Sequence, residues 1–139
     1  VAGAYAYGHY THEKNPVTAA AALATLQVIE QDDLVGNAAR VGAHALERLH
    51  ELQQRHALIG DVRGRGLLLG LELVTDRATK SAAADPAEAV LYHAMSNSLS
   101  FKTTMGNVLT LTPPLITTIA QMDSAMDILD AALTAVATS

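Results

Sequence analysis

Ile59-Gly60-Asp61-Val62-Arg63-Gly64-Arg65-Gly66-Leu67-Leu68-Leu69-Gly70-Leu71-Glu72-Leu73-Val74 is the stretch whose reading decides the fold. Ile59 to Arg63 is short and glycine-flanked, and Gly64-Arg65-Gly66 has the composition of a turn or bulge. Leu67 to Val74 is too apolar for a strand wetted on both faces. Together they predict two adjacent strands joined by a tight connection. The arginine-glycine alternation has the look of an RNA-binding segment, but a single copy between apolar strands in an acidic chain reads as a structural turn, with its glycines serving backbone geometry and packing.

Downstream, Thr75 to Asp85 is small and polar, which predicts a solvent-exposed connection. Asp85-Pro86 pairs a capping residue with a first-turn proline and predicts a helix to about Asn97, with Val90, Leu91, Ala94 and Met95 facing inward. Ser100 to Thr104 and Val108 to Thr112 read as short strands around a Met105-Gly106-Asn107 turn. Pro113-Pro114 ends that pairing, because proline has no N–H to donate. Thr118 and Gln121 have capping-box spacing, and Ile119, Met122, Met126, Leu129, Leu133 and Val136 follow as the stripe of a last helix.

Upstream, two helices are expected. Pro16 to about Gln31 is alanine-rich, with Val17, Ala20, Ala21, Ala24, Val28 and Ile29 available to pack. Asp32-Asp33 breaks it. Leu34 to about His56 then carries Leu34, Ala38, Val41, Ala45, Leu49 and Leu52 at steps of three and four, opposite a charged face with Arg40, Glu47, Arg48 and Glu51. The order is loop, two helices, two strands, helix, two strands, helix: an α+β layer with helices on a small, mostly antiparallel sheet.

The chain has 139 residues, 50% of them apolar, enough for a domain with a real core. Nine basic against fourteen acidic side chains give a net charge of −5 with no basic block, which argues against nucleic acid as a partner. The apolar stretch Val17 to Ile29 is too short to span a bilayer. With no cysteine there is no disulfide framework and no thiolate chemistry, and a cytoplasmic location is expected. The chain starts at Val1 inside what reads as structured sequence, so it is expected to be a segment of a longer protein. His9, His12 and Glu13 are near neighbours in sequence but lie in a loop that does not fix their directions, and no metal site is expected. None of Lys14, Lys80 and Lys102 has the apolar surroundings of a Schiff-base former, so no complete active site is expected in this chain.

One polar stretch carries chemistry of its own. Gly8-His9-Tyr10-Thr11-His12-Glu13-Lys14-Asn15-Pro16-Val17 feeds a helix N-terminus, where free N–H groups and the Thr11 hydroxyl could hold an anion such as a phosphate. Thr11 to Val17 also resembles the Thr-x-x-x-Asn-Pro segment of the class III aminotransferases, pyridoxal-phosphate (PLP) enzymes of fold type I. Ile59 to Glu72 is similar to that family's Ile-Gly-Asp-Val-Arg-Gly-x-Gly-x-x-x-Gly-x-Glu motif. Gly106 to Ile116 resembles its Pro-Pro-Leu strand, and the three motifs occur in the family's order.

The resemblance implies the C-terminal part of such an enzyme, with residues 1–34 closing the large PLP-binding domain and 35–139 forming the small domain. Thr11 matches the threonine that contacts the PLP phosphate of the neighbouring subunit in a homodimer. Thr110 stands where the family often has an arginine for the substrate carboxylate, and threonine cannot form that bidentate pair. The family's Schiff-base lysine and pyridine-pairing aspartate lie upstream of this chain, so no catalytic residue is assigned here. The implied activity is transfer of an amino group between an amine or amino acid and a 2-oxo acid. The details around Thr11 and Gly106 also resemble the dialkylglycine decarboxylase, aminocaprolactam racemase and amino-phosphonate lyase branches, which keeps lyase, racemase and decarboxylase chemistry open. A non-catalytic α+β binding or dimerisation module is the alternative of another class.

Overall fold

A computed structural model describes residues 15–138, and these form two compact units that divide between Val35 and Gly36. In the first unit, α1 (Pro16–Gln31) opens as its sequence predicts. The Asn15 side chain accepts from the Val17 N–H at 2.9 Å, and Pro16 occupies the first turn. No residue of α1 is buried, and Ile29 is half-buried. Thr11 and the loop before it lie outside those residues.

The second unit is built on a sheet of order β1-β2-β5-β4, from β1 (Ile59–Arg65), β2 (Leu68–Asp76), β4 (Lys102–Thr104) and β5 (Val108–Leu111), every pairing antiparallel. The register Leu69↔Leu111 and Leu71↔Leu109 lines apolar residues on one face. There they join Val41, Ala45, Leu49 and Leu52 of α2 (Leu34–Arg55) and Met122, Met126, Leu129 and Leu133 of α4 (Ile119–Ala137) in one buried core. Complete burial of a leucine is worth about 1.5–3 kcal/mol, so the three-and-four spacing of these helices is what fixes their orientation. The capping box of α4 is present as expected: Thr118 Oγ1 accepts from Gln121 N and the Gln121 side chain accepts from Thr118 N.

Three parts differ from the sequence reading. The Thr75 to Asp85 connection contains a two-residue strand, β3 (Ser81–Ala82), paired with β2. The Ala83 N–H then bonds the Leu73 carbonyl at 3.1 Å, which extends that pairing to the point where the chain turns, so α3 (Ala84–Ser96) starts earlier than Asp85-Pro86 suggests. Its N-cap is Ala83, without a side-chain bond, and Asp85 lies inside the first turn, where its charge suits the helix dipole. The inward residues of α3 are Ala87, Val90 and Ala94, whereas Leu91 is half-buried and Met95 is exposed.

The helices are tied to the sheet by features with no periodic signature. A Cβ on Gly42 of α2 would sit 2.1 Å from the Gly66 carbonyl oxygen, so helix and β1–β2 turn meet backbone to backbone. Gly66 itself has φ +54°, which glycine adopts without strain. The Arg77 guanidinium donates to the carbonyls of Gln53, His56 and Ile59 at 2.6, 2.8 and 3.0 Å, satisfying acceptors beyond the C-terminus of α2 and within its last turn. Buried Asn107 clips the β4–β5 turn to β2 by exchanging two bonds with Leu73, Nδ2 to O at 2.9 Å and N to O at 2.8 Å.

Candidate substrate-binding site

Strand alternation puts Arg63, Gly70, Thr110 and Lys102 in one row across the face of the sheet opposite the core, through the partners Arg63↔Gly70, Gly70↔Thr110 and Thr110↔Lys102. Thr110 is half-buried in the middle of this row, and its Oγ1 lies 2.8 Å from Thr104 Oγ1. Beside it, towards β1, is a hollow of about 330 Å³ lined by Arg63, Arg65, Leu68, Gly70, Val108 and Thr110 among others. Gly70 forms the open floor. A Cβ there would find its nearest neighbour, Val108 Cγ1, at an ordinary 3.6 Å, so this glycine leaves space rather than relieving a clash. Gly64 differs, since a Cβ there would lie 2.6 Å from the Leu68 carbonyl oxygen.

The two arginines of the hollow are electrostatically unlike. Arg63 Nη1 donates to Asp61 Oδ2 at 2.6 Å and to Glu72 Oε2 at 2.8 Å. The Asp61 hydrogen bond, then that of Glu72, holds its pKa above the ordinary arginine value despite some desolvation, and its charge is already answered. Arg65 makes no hydrogen bond or ion pair with any described residue. Lys102 is likewise unpaired among the described residues, and stands on the far side of Thr110 from the hollow.

Of the residues singled out in the sequence, Thr110 therefore lies on the wall of this hollow, while Thr11, His9, His12, Glu13 and Lys14 fall outside the described residues. Lys80 and Lys102 are exposed. At the start of α1, Pro16 has no N–H and that of Val17 is taken by Asn15. Sequence reading missed Arg65, which it placed in a turn. Pairing Arg65 with Leu68 as the last rung of β1–β2 would have shown it facing the same side as Arg63.

Comparison with known proteins gives this hollow a context. The family pattern described as Aminotransferase class-III matches residues 6–133. The chain is 48% identical over 126 residues to the (R)-1-hydroxy-2-aminoethylphosphonate ammonia-lyase of Vibrio splendidus (strain 12B01), covering 91% of this chain and 26% of that protein. It is 47% identical to the isoleucine 2-epimerase of Lentilactobacillus buchneri, covering 91% and 28%. An amine transaminase structure from an uncultivated Pseudomonas species, in PLP-bound form, superposes with a TM-score of 0.86 at 36% identity, covering 93% of this chain and 30% of that one. The chain thus spans between a quarter and a third of the length of these relatives. Helices on a small antiparallel sheet, as in the fold type I transaminases, is the fold found. With its pattern matched from residue 6 to residue 133, the chain belongs to the class-III aminotransferase family.

Proposed function

We propose that these residues are the C-terminal part of a PLP-dependent enzyme that moves an amino group between an amine or amino acid and a 2-oxo acid. Residues 1–34 would close its large domain and 35–139 form its small domain. The observation that carries the reading is the family match across 6–133, together with the placement of Thr110, the residue matching the family's substrate contact, on the wall of a hollow of substrate size. Bound PLP supplies an electron sink for the pair released when a bond to the amine-bearing carbon breaks. This chain's contribution is positional. Thr11 would bond the cofactor phosphate of a neighbouring subunit in a homodimer, and the sheet face around Thr110 would orient the substrate. The Schiff-base lysine would lie in a part of the enzyme upstream of these residues. Catalysis in the cytoplasm by the full-length homodimer completes the proposal.

A second reading, ammonia elimination or racemisation by the same scaffold, is favoured by the 48% and 47% identities to an ammonia-lyase and an epimerase. One assay separates the two. Full-length protein with cofactor is incubated with a chiral amino acid, with and without pyruvate, and the products are resolved. Formation of alanine that depends strictly on pyruvate is expected. Free ammonia or loss of optical purity without pyruvate would replace the first reading by the second, and no turnover of any amine would overturn both.

A further inference from the structure

The geometry points to Arg65 as the residue that reads an anionic end of the substrate, a carboxylate or phosphonate, in the hollow beside Thr110. This inference rests on the reading of that hollow as part of the substrate pocket, and it narrows the substrate to short amines with an oxyanion group.

Four observations carry it. Arg65 lines the hollow and has no partner among the described residues, in a chain with fourteen acidic against nine basic side chains. An arginine left unpaired where acids are in excess retains its five donors for something else. Secondly, no acidic side chain among the described residues lines the hollow, and Asp61 and Glu72 on the same face are paired with Arg63, which they neutralise. The uncompensated charge of the hollow is that of Arg65. Thirdly, the Gly70 floor leaves open the space between Arg63, its partner on β1, and Thr110, its partner on β5, and Arg65 lines the same hollow two residues along β1 on the same face as Arg63. A planar fork and a hydroxyl suit the oxygens of a carboxylate or phosphonate, whereas an uncharged end would lack the ion pair and the charge-assisted bonds. Finally, Leu68 and Val108 supply apolar walls, which fit a short aliphatic chain between the anion and the amine.

The test measures equilibrium binding of non-reacting ligands to the full-length protein with its cofactor, by calorimetry, for propionate, methylphosphonate and the uncharged isostere propionamide. Arg65→Met is expected to weaken propionate or methylphosphonate at least tenfold and to leave propionamide within twofold. Loss confined to propionate assigns the subsite to carboxylates, and loss confined to methylphosphonate assigns it to phosphonates; either supports the proposal. Equal weakening of all three ligands, or of none, overturns it. Thr110→Arg measured alongside separates the two levels of inference. If Arg65→Met is silent while Thr110→Arg tightens propionate, the pocket reading stands and Arg65 is not its reader. If both variants are silent, the pocket reading falls as well.

Discussion

Two glycines of the same chain make opposite demands at the scale of single atoms. Gly42 lies inside a helix, where alanine would ordinarily be favoured by about 1 kcal/mol, yet its missing Cβ is the space in which the Gly66 carbonyl sits at 2.1 Å. The obstacle is backbone and cannot rotate away, so overpacking outweighs propensity. Gly42→Ala is expected to lower stability by about 2 kcal/mol, read as a lower urea midpoint. Gly70→Ala meets nothing closer than 3.6 Å and should be neutral or stabilise by about 0.5 kcal/mol, because alanine has less freedom to lose on folding. A Gly42→Ala variant as stable as the parent would show that helix and turn separate freely. The sequence marks Thr110 through its Pro-Pro-Leu context, but it marks neither Gly42 nor Arg65. The partner of Gly42 lies 24 positions away and follows no periodicity, and the direction of Arg65 depends on a strand register that one residue of slippage would reverse.

Between elements, the contact of α2 with α4 has two charged layers outside the core. Asp123 Oδ1 lies 2.8 Å from His44 Nε2 and accepts from Arg48 at 2.7 Å, while Arg48 also reaches Asp127 at 2.9 Å. About two turns further along, Asp130 accepts from Arg55 at 2.6 Å and lies 2.5 Å from His56 Nε2. The His44 hydrogen bond, with Arg48 adding to it against some desolvation, holds the Asp123 carboxyl below its ordinary range. For Asp130 burial is the largest single influence and acts upward, yet the bonds and charges of His56 and Arg55 together outweigh it and leave the carboxyl lowered. Carboxyls depressed in the folded state bind protons more readily once unfolded, so the seam's contribution is present above the ordinary carboxylate pKa of about 4 and is lost as pH falls through the folded values. The urea midpoint is therefore expected to drop on acidification below about pH 5, and Asp123→Asn with Asp130→Asn should flatten that slope. An unchanged slope in the double variant would assign the acid sensitivity elsewhere. At this scale the apolar stripes of α2 and α4 and the box at Thr118 were plain in the sequence, because each is a local pattern. The start of α3 was not, because a bond from Ala83 to Leu73 across the sheet decides it.

For the whole molecule, the distribution of burial indicates which part folds by itself. Every member of the hydrophobic core cluster lies between Val41 and Leu133, within the second unit. By contrast α1 has no buried residue and exposes Val17 at 75% and Leu23 and Leu26 at 57% each. Alanine-rich helices of this length are marginal in water without a partner surface, so the first unit should contribute little to cooperativity and some tendency to associate. A chain of residues 36–139 retains the complete sheet, α3, α4, all of α2 but its first two residues, the Arg77 cap and the charged seam. It is expected to unfold in one cooperative transition, with a urea midpoint within about 0.5 M of the 139-residue chain and less self-association in sedimentation. Agreement of far-ultraviolet circular dichroism with one-dimensional NMR methyl dispersion would establish the folded state before the comparison is made. A broad, non-cooperative loss of signal would mean that residues before Gly36 are needed to complete the core. A sharp transition would show that the sheet face bearing Thr110 and Arg65 is held rigid by this unit alone, as a preorganised recognition surface requires.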